Sequence, residues 1–542
     1  MRPFTGTWAL VRLALRRDRV QLPIWLLAIA GSIAATASSA ISIYGVSDQA
    51  IAGYATTGAT SVVARAFNGA ISGPSLGAIV AAESYFLLAL LVPLMSTLLV
   101  VRHTRQNEET GRAELLGSAV VGRLAGLTAA LLVALAANVA AGLLLTAAFV
   151  GNDLPLAGSL ALSGAVALAG TAFAAIAAVA AQLAPTARMA NGLAVGAIGL
   201  AFGMRALGDA YGDVGADGMS VTSAWPSWLS PLGWISQIQP YGTTAWWTLG
   251  LPVLVVLLAV WLAFWLVSRR DVGFGLLADR RGPATAGAGL RGTLGLAWRL
   301  QRGTLLAWLL GFLLMAVPMG AVTNEVDDML ANNPQAVELI QALGGLDDVI
   351  DAFFGAMLML MGLAASGYAL QALLRMRAEE TGGQLEGVLA GAVSRPRWLG
   401  GHLLVAVLGA ALLLAAAGAG MGLGYAATGG PGSAVAELTG AALVFLPAVL
   451  VLVGFVVAVF GWLPQAAVGL AWGGLAACLL LGQIGALLEL PQLLLDLSPF
   501  THVPQVPADS VAAPPLLIML GVAALLLSAG TAGFRRRDLQ LA

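Results

Sequence analysis

Glu108-Glu109-Thr110-Gly111 is a polar island between two long apolar runs, and the same four residues return between two others as Glu379-Glu380-Thr381-Gly382. Arginines precede both copies (Arg102 and Arg105; Arg375 and Arg377), a further acid follows (Glu114; Glu386), and an arginine lies nine residues beyond it (Arg123; Arg395). A polar motif that recurs at the same place in two apolar halves implies a duplicated scaffold with a duplicated task.

The apolar runs set the fold class. The 542 residues are 59% hydrophobic and 10% charged, against about 25% charged in an ordinary soluble domain. Many runs exceed the roughly 20 residues that cross a bilayer as a helix, and the short alternating segments of a β-barrel are missing. The expectation is an all-α polytopic membrane protein. The first residues lack the apolar core and small-residue cleavage site of a secretory signal. Cys478, the single cysteine, allows no disulfide within the chain and no cysteine-based zinc site. All 26 basic residues are arginine. Without lysine the phosphate-binding loop G-x-x-x-x-G-K-[ST] cannot be formed, so no ATP hydrolysis, and no enzyme activity, is expected of this chain.

In chain order, a basic amphipathic stretch over 3–20 sets Trp8, Leu10, Val11, Leu13 and Leu15 against Arg12, Arg16, Arg17 and Arg19, the pattern of an interfacial helix. Spans are expected near 22–42, 79–101, 124–148, 157–182, 189–207 and 246–267, with a small, polar, Gly-rich loop over 43–78 that has room for a short helix. Before the sixth comes Trp225-Pro226-Ser227-Trp228-Leu229-Ser230-Pro231. Residues 268–290 read as a cytoplasmic linker, Arg- and Gly-rich and aperiodic. Residues 291–542 repeat the plan of 1–267, with their own interfacial helix and spans near 304–322, 352–374, 399–424, 438–461, 466–487 and 514–534. The reading is twelve transmembrane helices in two parallel six-helix repeats. Landmarks recur in order: Arg16, Arg19 and Trp25 with Arg299, Arg302 and Trp308; Leu229-Ser230-Pro231 with Leu497-Ser498-Pro499; Arg269-Arg270-Asp271 with Arg536-Arg537-Asp538.

Orientation follows from the arginines. With both termini in the cytoplasm, 24 of the 26 arginines fall on cytoplasmic segments, Arg65 and Arg205 excepted. The outer loops then hold the acids Asp209, Asp213, Asp217, Glu325, Asp327, Asp328, Asp347, Asp348 and Asp351. Both polar islands become cytoplasmic. Asn107 is placed to cap a short helix there, with Glu108 and Glu109 at its positive end, and Leu115, Leu116, Ala119 and Val120 on its apolar side. Thr381 and Gln384 have capping-box spacing, whereas the first copy has Ala113 at that place. Capping thus explains only part of the motif. Solvated loop charges are the plain alternative; a doubled docking element for a partner of two-fold symmetry is the sharper one.

This arrangement resembles the permease subunits of ABC-2 type exporters, and most closely the fused twelve-span permeases of actinobacterial antibiotic and multidrug exporters (the polyketide antibiotic exporter type). The likeness rests on the interfacial helix, the Ser-Pro segment before the last span, and an E-x-G-x-x-E-like pattern. That pattern is Glu109-Thr110-Gly111 with Glu114, and, one residue longer, Glu380-Thr381-Gly382 with Glu386. The resemblance implies an exporter of lipophilic or amphipathic compounds, serving antibiotic or multidrug efflux across the bacterial plasma membrane. It implies coupling helices, carrying Glu108, Glu109, Gly111, Glu114, Glu379, Glu380, Gly382 and Glu386, that dock a homodimeric or paired ABC ATPase. ATP and Mg would sit on that partner, with no cofactor, metal or nucleic acid on this chain.

For the cargo path, Glu83 is the clear charge within a span, either functional or snorkelling to the outer interface. Arg205 is a possible partner. Phe86, Met95, Phe353 and Met357, with Met359 and Met361, offer an adaptable apolar lining, or plain helix packing. Trp225, Trp228, Trp234, Trp246 and Trp247 form an aromatic belt or, by the resemblance, part of an outer gate. A proton-coupled six-plus-six transporter is the alternative; that class couples through buried ionisable groups near the midplane, where this chain is almost bare. His103, His402 and His502 lie on different segments and make no ligand-spaced cluster, so an embedded enzyme is a third, weaker reading.

Overall fold

The computed structural model describes residues 2–271, 273–277, 284–285, 287–290, 292–331, 346–484 and 491–539. They fall into two compact units, Met1–Arg281 and Gly282–Ala542. The first begins with α1 (Thr7–Arg17), α2 (Gln21–Tyr44), α3 (Asp48–Thr60), α4 (Val62–Asn68), α5 (Leu76–His103), α6 (Arg105–Glu109) and α7 (Arg112–Gly117). It continues with α8 (Ala125–Val150), α9 (Leu156–Leu183), α10 (Ala187–Ala210), α11 (Trp225–Trp228), α12 (Gly233–Gln237) and α13 (Gly250–Val267). A small hairpin pairs β1 (Asp213–Val214) with β2 (Val221–Thr222). The second holds α14 (Thr293–Ala331), α15 (Leu346–Thr381), α16 (Gln384–Leu389), α17 (Arg395–Ala427), α18 (Ala434–Leu443), α19 (Leu446–Trp462), α20 (Ala467–Ile484), α21 (Gln492–Leu495) and α22 (Ala513–Arg536).

Among the described residues, eleven helices are long and apolar enough to cross a membrane. The twelfth expected span, 466–487, coincides with α20, whose apolar stretch Ala467–Leu481 is shorter than that length, and its last residues lie outside those described. Each unit buries its own core. In the first, α9 packs against α5, α8, α10 and α13, through a run of buried alanines from Ala161 to Ala181. Small side chains let helix backbones approach closely where the surrounding lipid offers no hydrophobic drive. In the second unit glycines do the same. A Cβ on Gly424 would lie 1.9 Å from the Val317 carbonyl oxygen, and one on Gly320 1.9 Å from that of Met421.

Two expectations change. The interfacial helix α1 is separate in the first unit: it ends at Asp18, and Pro23 lies in the first turn of α2. Proline cannot donate a backbone hydrogen bond and clashes with the carbonyl four residues back. At the matching place the second unit has Leu306, and the helix runs unbroken from Thr293 through the span. The loop over 43–78 is also more ordered than its composition suggested, because Ser47, Ser61 and Ser75 cap α3, α4 and α5 in turn.

Candidate functional site

The polar islands are ion-pair junctions before they are surfaces. Glu108 pairs with Arg105 at 2.6 Å and with Arg270, which lies just beyond α13. Arg105, 1% exposed, also donates to the carbonyls of Pro185 and Gly273. Arg270 reaches Gln182 Oε1 at 2.7 Å. The backbone amides of Leu276 and Leu277 bond to Gln182 and Leu183. The stretch expected as linker therefore begins with residues pinned to the end of α9.

The second unit builds the same junction. Glu380, fully buried, pairs with Arg377 at 3.1 Å and accepts from Arg537 Nη2 at 2.9 Å, just beyond α22. Arg123 donates to the carbonyls of Val267 and Arg270, and Arg395 to those of Phe534 and Arg537. These contacts correct the alignment of the two motifs. Glu108 corresponds to Glu380, not Glu379, and Gly111 to Gly383, not Gly382. Gly111 and Gly383 both take left-handed backbone, with φ 71° and 73°, each opening a six-residue helix, α7 or α16. Glycine tolerates that conformation without strain. In this register the second copy is no longer, and Glu114 and Glu386 fall on equal positions. The repeated Glu-Glu-Thr-Gly string is what conceals it.

Capping is also different from the sequence expectation. Asn107 lies inside α6, donating to the His103 carbonyl and accepting from Arg17. Thr381 donates to the Arg377 carbonyl, and no side chain caps α16. Glu109 instead accepts from the amide of Ala187 at 2.9 Å, at the start of α10. Glu379 pairs with Arg375 and faces His402, which contacts Gln301.

The candidates therefore divide. Glu108, Glu379 and Glu380 are held inside the junctions. Glu109, Glu114, Gly382 and Glu386 are exposed. Beside Glu114, Leu115 is 76% and Val120 65% exposed, an apolar face without a described covering. The second copy presents Gln384, Glu386 and Gly387 there.

Within the first unit the expected pairing of Glu83 with Arg205 is not made. Glu83 accepts from the Tyr54 hydroxyl at 2.5 Å beside a small cavity lined by Asn68 and Thr57. Arg205 does not reach it; it pairs with buried Asp209 at 2.9 Å and lies over the Tyr85 ring. Phe86 packs with Phe67 and Phe202. Met95 is buried in the first core, and Phe353 and Met357 pack against the second. Met361 lines a hollow of about 360 Å³ with Trp308, Phe312 and Met315. Of the tryptophans, Trp228 and Trp247 stack at 5.7 Å, and Trp225, Trp246 and Trp247 stay exposed. Trp234 is buried and bonds to the Trp228 carbonyl. Ser230 and Ser498 are both buried, and each hydroxyl accepts an amide two residues on, from Leu232 and Phe500.

Apolar helices of span length, cores rich in small residues and a polar junction repeated in each unit define an all-α polytopic membrane protein. Residues 290–535 match the family described as multidrug efflux system permease Rv1217c, C-terminal domain. Over 538 residues, 99% of this chain and 96% of the relative, the chain is 40% identical to the multidrug efflux system permease protein Rv1217c of Mycobacterium tuberculosis (strain ATCC 25618 / H37Rv). The chain belongs to this family of multidrug efflux system permeases.

Proposed function

We propose that this chain is the membrane subunit of an ATP-driven exporter of lipophilic or amphipathic compounds. It would cross the plasma membrane twelve times as two parallel six-span repeats, with both termini in the cytoplasm. A separate ATPase, homodimeric or paired, would dock on α7 and α16 and supply ATP and Mg. The observation that carries the reading is the duplicated junction. In each unit a glutamate at or just past the end of the second-span helix, half-buried Glu108 or buried Glu380, pairs with an arginine just beyond the last span. A push on the short helix would then reach both spans through one stiff contact. Exposed Glu114 and Leu115 on α7, and Glu386 on α16, are the surface left for a partner. The multidrug efflux named for the relative is the cargo class proposed here.

The test reverses charge at the exposed acids and leaves the buried ones alone. Glu114→Arg with Glu386→Arg should abolish co-purification with the ATPase while membrane insertion and thermal stability stay normal. Normal co-purification in that double variant would sink the docking role. Export that survives vanadate but stops when the proton gradient collapses would reject ATP as the energy source.

A further inference from the structure

A cavity of about 330 Å³ opens between the end of α1, the start of α2 and the C-terminal end of α5. Arg17, Asp18, Gln21, Trp25, Arg102 and Asn191 are among the residues that line it. Arg17, Gln21 and Trp25 also border an apolar hollow of about 490 Å³ that runs down α2 past Val20, Ile24 and Ala28. The two share Arg17, Gln21 and Trp25, the first with charged walls and the second with apolar ones.

Its charge is only partly balanced from within, two arginines facing the one carboxylate of Asp18. Asp18 takes up Arg102 at 3.2 Å and contacts His103. Among the described residues, Arg17 donates to a neutral group, Asn107 Oδ1, at 2.7 Å. Burial and the like charges of Arg112 and Arg102 lower the Arg17 pKa, outweighing the opposite pull of Asp18, as expected where positive charge is in excess. The buried Oδ1 of Asn191, on the same wall, accepts no hydrogen bond. A phosphodiester would answer the excess charge, a headgroup hydroxyl the empty acceptor, and an acyl chain the apolar hollow. The second unit supplies a contrast. Beside Trp308, the counterpart of Trp25, the hollow is lined by apolar residues and no arginine.

We propose that this pocket binds one anionic glycerophospholipid with a hydroxylated headgroup, of the phosphatidylglycerol kind. The headgroup lies between Arg17 and Arg102, and one acyl chain lies along Val20, Ile24 and Ala28. The site rests on the proposed placement of α1 at the inner leaflet and is independent of which cargo is moved or what drives it.

Native mass spectrometry of the full chain released from mixed phosphatidylglycerol and phosphatidylcholine nanodiscs tests it. Wild type should retain phosphatidylglycerol over phosphatidylcholine. Arg17→Gln with Arg102→Gln should lower that retention about thirtyfold, the effect of two juxtamembrane cations. Ala28→Phe fills the hollow and keeps both cations, so it should also lower retention even if loss of Arg102 unsettles Asp18. Arg12→Gln with Arg16→Gln, on the exposed side of α1, should leave retention unchanged. Equal retention of the two lipids by wild type would overturn the site. So would an equal loss in the Arg12/Arg16 variant, or thermal stabilisation by inorganic phosphate as large as that by phosphatidylglycerol.

Discussion

The carboxylate of Glu380 is fully buried between Arg377 and Arg537. Removing one partner of a buried pair leaves an uncompensated charge and costs about 3–5 kcal/mol. Glu380→Gln should therefore lose stability of that order in a thermal melt of the solubilised protein. Glu386→Gln, exposed six residues further on, should stay within about 0.5 kcal/mol of wild type. At Asp18 burial works to raise the carboxyl, but the hydrogen bond and charge of His103, with Arg102 and Arg17, outweigh it and hold the group below the usual carboxylate range. A depressed folded-state value means that its stabilisation is complete above the unfolded value of about 3.9 and is lost as pH falls through the folded one. Melts recorded from neutral pH downward should show this acid limb, and Asp18→Asn should flatten it.

Helix against helix, the deciding contacts are backbone approaches that only glycine permits. α14 and α17 meet where Gly424 faces Val317 and Gly320 faces Met421. Gly424→Ala puts a methyl group into a carbonyl oxygen that has nowhere to move, and overpacking of this kind costs about 1–3 kcal/mol. Gly400, on the same helix, has open space around its would-be Cβ. Gly400→Ala should be neutral or stabilising by up to about 1 kcal/mol, since alanine is the better helix former. Equal losses for the two variants, by thermal melt, would remove close packing as the reason. The junctions work at this scale too. They join elements far apart in sequence, the segment after α5 with the residues after α13, and the end of α15 with the residues after α22. The landmarks Arg269-Arg270-Asp271 and Arg536-Arg537-Asp538 are visible in the sequence as a repeat, but nothing in their spacing says that they close on the glutamates.

For the whole molecule, the arginine distribution is the basis of the proposed orientation, with both termini in the cytoplasm. In a Cys478→Ala background, a cysteine at Arg2 should react with a membrane-impermeant maleimide only after the cells are opened. One at Asp217 should react in intact cells. The reverse pattern would invert the topology and put α7 and α16 on the wrong side for an ATPase. Purified alone, the chain should turn over no ATP, because no lysine is available for a phosphate-binding loop.

The helical membrane fold was legible in the sequence because the length and composition of a span are local properties, set by bilayer thickness and the cost of burying charge. Duplication was legible because landmarks recur in order, such as Arg123 with Arg395 and Arg270 with Arg537. Only the tertiary structure decided which glutamates face inward. Glu108 and Glu109 are adjacent and chemically equal in the sequence; one closes on Arg270 and the other reaches the start of α10. Likewise the match of Glu-Glu-Thr-Gly to its second copy is the better string alignment and the wrong structural one. Register is set by the left-handed turns at Gly111 and Gly383 and by arginines that arrive from the other end of each unit, a long-range contact that no local pattern records.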